Sequence, residues 1–101
     1  MLAALLVSAL LTSTPSALPP RPARLGLCAA CHGADGHASV PGAPNLAGQP
    51  VDYLAAAIRQ YQQGERANPV MRGAVGSLRD ADIDALARWY AAQSPCRPVA
   101  P

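Results

Sequence analysis

Residues 28–32, Cys28-Ala29-Ala30-Cys31-His32, decide how this sequence of 101 residues is interpreted, because their types and spacing prescribe one kind of chemistry. Two cysteines three positions apart lie on one turn of a helix, and each can add to one of the two vinyl groups of a haem. A histidine directly after the second cysteine then lies under the haem iron. The motif therefore predicts one covalently bound haem c, attached through Cys28 and Cys31, with His32 as an iron ligand.

Two other functions use a Cys-x-x-Cys pair. A thioredoxin-type redox pair requires a preceding strand and a βαβ pattern, which this sequence does not show. A structural zinc site needs four ligands, and Cys28, Cys31 and His32 supply only three. His37 or Cys96 would have to complete the set, at spacings that structural zinc sites do not use. Haem attachment is therefore the favoured interpretation.

The composition also favours a cofactor inside the core. Half of the residues are hydrophobic, but the chain has no Phe and contains 11 Pro and 8 Gly, so large side chains alone do not fill a core. A haem would add a large apolar body around which a small domain can close. The formal net charge of +2 comes without a clustered basic stripe, which argues against a nucleic-acid partner.

The amino terminus predicts export. Met1 to Leu11 form an almost unbroken apolar run that is too short to cross a bilayer comfortably. It is typical of the central region of a secretory signal over residues 1–17, with cleavage near Ser16-Ala17, although no basic residue precedes the run. Export to the periplasm agrees with the motif, because haem is attached to such motifs outside the cytoplasm. An uncleaved signal that acts as an anchor is the alternative, and the only membrane contact we expect.

Downstream of the signal, proline positions and hydrophobic periodicity divide the chain. We expect a Pro-rich linker over residues 18–22, one domain over residues 23–94 and a Pro-rich tail over residues 95–101. Helical spacing of apolar residues predicts helices over 23–30, 51–63 and 80–93. The prolines of residues 40–50 predict a rigid loop, and residues 64–78 lose all periodicity and predict an irregular loop that holds Met71. The last helix would bury Ile83, Leu86, Ala87 and Tyr90.

Four features in this order resemble a class I cytochrome c of the small soluble bacterial mono-haem type, over about Leu25 to Gln93. They are Cys28 to Gly36, then Pro44-Asn45-Leu46-Ala47-Gly48-Gln49, then Tyr53-Leu54 leading into Gly64-Glu65-Arg66, and finally Met71 before the helix of Ile83 to Tyr90. The resemblance implies an all-α, cytochrome c-like domain of about three to four short helices and loops wrapped around one covalent haem.

The same resemblance implies roles for individual residues. Cys28 and Cys31 would carry the thioether bonds, His32 would be the proximal iron ligand, and Met71 the distal one. Pro44 corresponds to the family proline whose carbonyl steadies the proximal histidine. The implied function is transfer of single electrons between redox partners, such as a dehydrogenase and a terminal oxidase, by a protein that is not an enzyme.

Three further interpretations stay open at this point. If Met71 dissociates, the iron becomes accessible, as in a haem enzyme or a gas sensor. The chain can also be the cytochrome subunit of a larger oxidoreductase complex. Cys96 is a free thiol of a monomer, or it joins two chains through a disulfide.

The sequence departs from the family pattern in its helices. Pro19, Pro20 and Pro22 leave only about two turns before the haem motif, without the aromatic residue that packs on the last helix in the family. We therefore expect that contact to be weak or missing. Arg79 stands where Ser or Thr commonly caps the last helix, so we expect Ser77 or Asp80 to serve as the cap. His37 is expected to be a solvent-facing turn residue and a poor iron ligand.

Overall fold

The chain folds around four helices in the computed structural model, which describes residues 2–11 and 18–96. Over these residues the helices are α1 Leu25–His32, α2 Val51–Gln63, α3 Pro69–Val75 and α4 Asp80–Ala91, and there is no strand. The predicted all-α fold of three to four short helices is confirmed.

The amino-terminal segment and the carboxy-terminal segment are only partly described. Residues 2–11 form no helix, and none of the helices within the described ranges is long and apolar enough to cross a membrane. The predicted cleavage site at Ser16-Ala17 and the end of the tail, residues 97–101, lie outside the described residues.

Helix α1 carries the whole Cys-x-x-Cys-His motif. It begins at Leu25, where the backbone N–H donates to the carbonyl of Pro22 at 3.1 Å, two residues later than predicted. It ends at His32 because Gly33 has φ of 76°, which leaves the helical region. Both cysteines and the histidine therefore share one rigid element, which extends two residues beyond the range 23–30.

The core lies where α2 and α4 pack together, with α3 against α2. The apolar pattern predicted for α4 is confirmed, and α4 ends at Ala91, two residues before the predicted Gln93. Leu25 of α1 is only 1% exposed and packs in the same core, so α1 joins this core without the family's aromatic residue. The buried members are Leu25, Leu54, Ala55, Val75, Leu78, Ile83, Leu86, Ala87 and Tyr90.

The prediction of an irregular loop around Met71 is wrong, because residues 69–75 form the short helix α3. The Asn68 side chain accepts a hydrogen bond from the backbone N–H of Met71 at 3.0 Å, and Pro69 occupies the first helical position. Val75, the last residue of α3, is only 2% exposed. Burial of its side chain outweighs the helix-breaking tendency of Gly73.

The predicted caps of α4 are also wrong, because neither Ser77 nor Asp80 caps the helix. The Asp82 carboxylate instead accepts a hydrogen bond from the backbone N–H of Arg79 at 3.0 Å, which satisfies a donor at the helix start. The Ser77 hydroxyl accepts from the Arg24 guanidinium at 2.9 Å, and so contacts the segment before α1.

Candidate haem site

One cleft brings together most of the residues that the sequence singled out. It has an empty volume of about 920 Å³, part of which is open solvent. Helices α1 to α4 and the Pro-rich loop all contribute to its walls. Its lining is mainly apolar and consists of Cys28, His32, Pro44, Asn45, Leu46, Gln49, Tyr53, Leu54, Ala57, Ile58, Tyr61, Arg66, Asn68, Met71, Val75, Leu86, Ala87 and Tyr90.

The imidazole of His32 is fixed on one wall of the cleft. The side chain is buried, and its Nδ1 lies 2.9 Å from the carbonyl oxygen of Pro44. A proline carbonyl can only accept a hydrogen bond, so Nδ1 must carry the proton and donate it. The neutral ring then keeps its lone pair on Nε2, which is the form that a metal-binding histidine requires.

The loop that supplies the Pro44 carbonyl is itself anchored near the haem motif. The Asn45 side chain accepts from the backbone N–H of Ala38 at 2.8 Å. The backbone N–H groups of Leu46 and Ala47 donate to the carbonyl of Gly36 at 2.7 and 3.2 Å. The acceptor for His32 is therefore held in place by the turn that directly follows the motif.

The two cysteines of the motif lie one helical turn apart on α1, and both are half-buried free thiols. Cys28 lines the cleft, whereas Cys31 lies outside its lining. Burial raises the pKa of the Cys28 thiol, and the positive charge of Arg24 opposes that shift. Before any bond to a haem forms, Cys28 is thus a neutral thiol at pH 7 and not a reactive thiolate.

Met71 lies in the same cleft as His32, although on a different helix. Its side chain is half-buried, and its place is set by α3 rather than by an irregular loop. The Gln62 amide on α2 donates to the carbonyls of Val75 and Leu78, at 2.8 and 3.0 Å, and so ties the exit of α3 to α2. The thioether is therefore presented from an element fixed at both ends.

This donor set fits a covalently attached haem. It combines two thiols, an imidazole with a free lone pair and a thioether around an apolar cleft, which is the chemistry of c-type haem with His and Met ligands. Within the described ranges, no group of three or more His, Cys, Asp or Glu side chains lies close enough to hold a bare metal ion.

His37 is less exposed than predicted. It is half-buried, and its Nε2 lies 3.0 Å from the carbonyl oxygen of Ser94, so it does not face solvent freely. This hydrogen bond connects the turn after the haem motif to the segment after α4. His37 is not among the residues that line the cleft, which agrees with its expected weakness as an iron ligand.

Arg66 also lines the cleft, where two tyrosine rings hold its guanidinium group. Its guanidinium carbon lies 5.7 Å from the ring centroid of Tyr53 and 5.6 Å from that of Tyr61, within the range of cation–π attraction. Its Nε donates to the Gln60 side chain at 2.7 Å. Among residues 2–11 and 18–96, no carboxylate forms an ion pair with Arg66. The recurrence of tyrosine two turns apart on α2 was the available signal.

Comparison with known proteins agrees with the site. The family profile described as cytochrome c oxidase, cbb3-type, subunit III matches residues 25–89, which is more than half of the chain. A relative called thiosulfate dehydrogenase electron acceptor, from Thiomonas intermedia, is 37% identical over all of this chain and 47% of its own length. Cytochrome c-554(548) of Halomonas halodenitrificans is 38% identical over 69% of this chain and 88% of its own length. Cytochrome c4 of Pseudomonas aeruginosa is 38% identical over 70% of this chain and 35% of its own length.

The fold, the haem motif and these matches define a small bacterial class I cytochrome. The chain belongs to the cytochrome c family, whose cofactor is a covalently bound haem c. It spans about half of the thiosulfate dehydrogenase electron acceptor and about a third of cytochrome c4, but most of cytochrome c-554(548).

Proposed function

We propose that this chain is a mono-haem electron carrier of the periplasm, which passes single electrons between redox partner proteins and is not an enzyme. The observation that carries the proposal is the cleft in which His32, whose Nδ1 lies 2.9 Å from the Pro44 carbonyl oxygen, and Met71 occur together beside Cys28. Family membership and the names of the relatives, which include an electron acceptor, support the same function.

In this proposal each residue of the site has a separate role in binding the haem. Cys28 and Cys31 would hold the haem through two thioether bonds, and His32, through Nε2, and Met71 would be the ligands of its iron. The bound haem supplies an iron that carries one electron by alternating between its ferric and ferrous states. The Pro44 carbonyl accepts a hydrogen bond from His32 Nδ1, and this bond fixes both the tautomer and the orientation of the ring.

The rigid placement of both ligands suits this function. His32 is held through Pro44, and Met71 is held by a helix that Asn68 caps and Gln62 anchors. Ligands that stay in place in both oxidation states keep structural rearrangement small and leave no coordination position for a substrate. The haem enzyme and gas sensor alternatives require Met71 to dissociate, which these restraints oppose.

The test is the absorption spectrum of the chain, produced together with a haem-attachment system, as wild type and as Met71→Ala. We expect the oxidised wild type to show a weak near-infrared band from methionine ligation and to bind carbon monoxide poorly when reduced. Met71→Ala should lose the band and bind carbon monoxide readily. A wild type that lacks the band and binds carbon monoxide as well as the variant does would favour an enzyme or a sensor.

The remaining parts of the proposal concern location and organisation. We assign residues 1–17 to a secretory signal, 18–22 to a linker, 23–94 to the cytochrome domain and 95–101 to a tail. The apolar run at the amino terminus supports export. We assign a monomer, with a disulfide dimer through the exposed Cys96 as the alternative. Mass spectrometry of the protein from a periplasmic extract, without reductant, tests both the cleavage and the disulfide.

A second candidate function is a cytochrome unit within a larger oxidoreductase. The description of the matching family as an oxidase subunit supports it, as does the greater length of two of the relatives. Such a unit would relay electrons through the same site. Purification under mild conditions distinguishes the two, because a carrier elutes at the size of one small chain and a bound subunit elutes with a larger complex.

A further inference from the structure

The turn that directly follows His32 is held by two aromatic side chains from the far end of the chain. The hydroxyl of Tyr90 donates to the carbonyl oxygen of Gly33 at 2.9 Å, and the indole Nε1 of Trp89 donates to the carbonyl of Ala34 at 2.7 Å. Both donors belong to α4, and the acceptors are the first and second residues after the ligand. The end of α4 is thus hydrogen-bonded to the exit of α1.

Burial makes the bond from Tyr90 the stronger restraint. Tyr90 is 3% exposed and lines the cleft, whereas Trp89 is only half-buried. A buried hydroxyl without a partner is costly, so the structure strongly favours the one position of Gly33 in which its carbonyl meets Tyr90. The carbonyl of Gly33 is the hydrogen-bond acceptor of this hydroxyl.

The conformation of Gly33 leaves that turn little freedom of its own. Gly33 has φ of 76°, and a Cβ at this position would lie 2.2 Å from the carbonyl oxygen of His37. The chain therefore reverses tightly here, and its path is set by contacts on both sides. The same turn contains Gly36, whose carbonyl accepts from Leu46 and so anchors the loop of Pro44.

Two independent restraints consequently converge on His32. The Pro44 carbonyl fixes the rotation of the imidazole through Nδ1, and the turn fixes the backbone that carries the ring. The restraint from Pro44 was expected from the resemblance to the cytochrome c family. Nothing in the sequence indicated the restraint from Tyr90. Loss of the second restraint would loosen the backbone that carries the ring, and with it the position of the ring against the Pro44 carbonyl.

We propose that Tyr90 is a positioning residue for the proximal ligand: its hydroxyl, by holding the Gly33 carbonyl, fixes the imidazole of His32 against the Pro44 carbonyl. The inference rests on the proposed ligation by His32. Trp89 supports the same turn one residue further from the ligand, with a smaller effect on the ring.

The test compares Tyr90→Phe with Trp89→Phe in the haem-loaded full chain, since each variant loses one hydrogen bond from α4 to the turn. The measurement is the exchange rate of the His32 Nδ1 proton with solvent, followed by NMR. Tyr90→Phe should raise this rate about fivefold, the factor expected for one lost buried hydrogen bond. Trp89→Phe should raise it less than about twofold, although it also weakens the fold.

Guanidinium unfolding of the same samples separates positioning from general stability. If Tyr90→Phe lowers the unfolding free energy but leaves the His32 proton exchange unchanged, Tyr90 is only a structural residue and the inference is overturned. Equal acceleration in both variants would also overturn it. If Tyr90→Phe yields no haem-loaded protein, Trp89→Phe must still accelerate the exchange measurably, or the inference fails.

The two proposals fail in different ways. If the wild type shows no haem-bound His32, the ligation itself is wrong. If the wild type is ligated and the variants retain its proton exchange, the ligation stands and only the role of Tyr90 is removed.

Discussion

Replacement of Leu86 by alanine tests the packing on which the whole site depends. Leu86 is 1% exposed, lies in the core between α2 and α4, and also lines the cleft. The substitution removes three buried carbons, and at about 0.8 kcal/mol each this costs about 2.4 kcal/mol. Incomplete collapse of the resulting cavity raises the range to about 2–5 kcal/mol. For a domain of this size, 2.4 kcal/mol corresponds to a fall of about 10–20 °C in Tm.

Guanidinium unfolding of the haem-loaded chain, followed by absorbance and circular dichroism, measures this cost. Leu27→Ala is the matched control, because the same substitution on α1 affects a side chain that is 51% exposed, and we expect a change below about 0.5 kcal/mol. Similar losses for the two variants, or a loss below about 1 kcal/mol for Leu86→Ala, would refute the placement of Leu86 in the core.

Three further predictions follow from the site. Asn68→Ala removes the cap of α3 and should lower the unfolding free energy by about 1 kcal/mol, while carbon monoxide binding to the reduced protein increases because Met71 is held less firmly; unchanged binding would contradict the role of the cap. Arg66→Gln removes a positive charge at the cleft. Because oxidised haem is the more positive state, the variant should have a lower reduction potential than wild type, and the difference should be smaller at high salt. A higher potential in a redox titration would contradict this. Burial raises the pKa of Tyr90, so its neutral form stabilises the folded state below the unfolded pKa of about 10, and that stability is lost as pH rises further. The free energy of unfolding, measured at several pH values between 9 and 11, should therefore fall less steeply with pH for Tyr90→Phe than for wild type.

The sequence predicted the elements with strong periodic or chemical signals. The apolar spacing of Ile83, Leu86, Ala87 and Tyr90 identified α4, and the motif from Cys28 to His32 identified the cofactor. Local patterns of this kind are sufficient because each residue's role is set by its near neighbours in the chain. The order of motifs shared with the family then predicted that Pro44 and Met71 belong to the site, and the structure brings both to the cleft.

Helix α3 was missed because its stability does not come from periodicity. A helix of seven residues is too short to show an amphipathic repeat, and Gly73 argues against it. Its determinants are the Asn68 cap, the proline that follows it and the burial of Val75. The Asn-Pro pair was the one local signal, and it is typical of both turns and helix starts.

The long-range hydrogen bonds could not be predicted from sequence at all. Tyr90 reaches Gly33 across 57 positions, and His37 reaches Ser94 across the same separation. Such pairs depend on how the end of α4 lies against the haem motif, which no local pattern specifies. For the same reason, Ser77 was expected to cap α4, although its hydroxyl pairs with Arg24.

The most direct test of the central claim is the mass of the denatured protein after production together with a haem-attachment system. The account predicts a chain that keeps the mass of one haem under denaturing conditions, and a Cys28→Ser, Cys31→Ser double variant that does not. A wild-type chain with the mass of the bare polypeptide would contradict covalent attachment, and with it the proposed electron carrier.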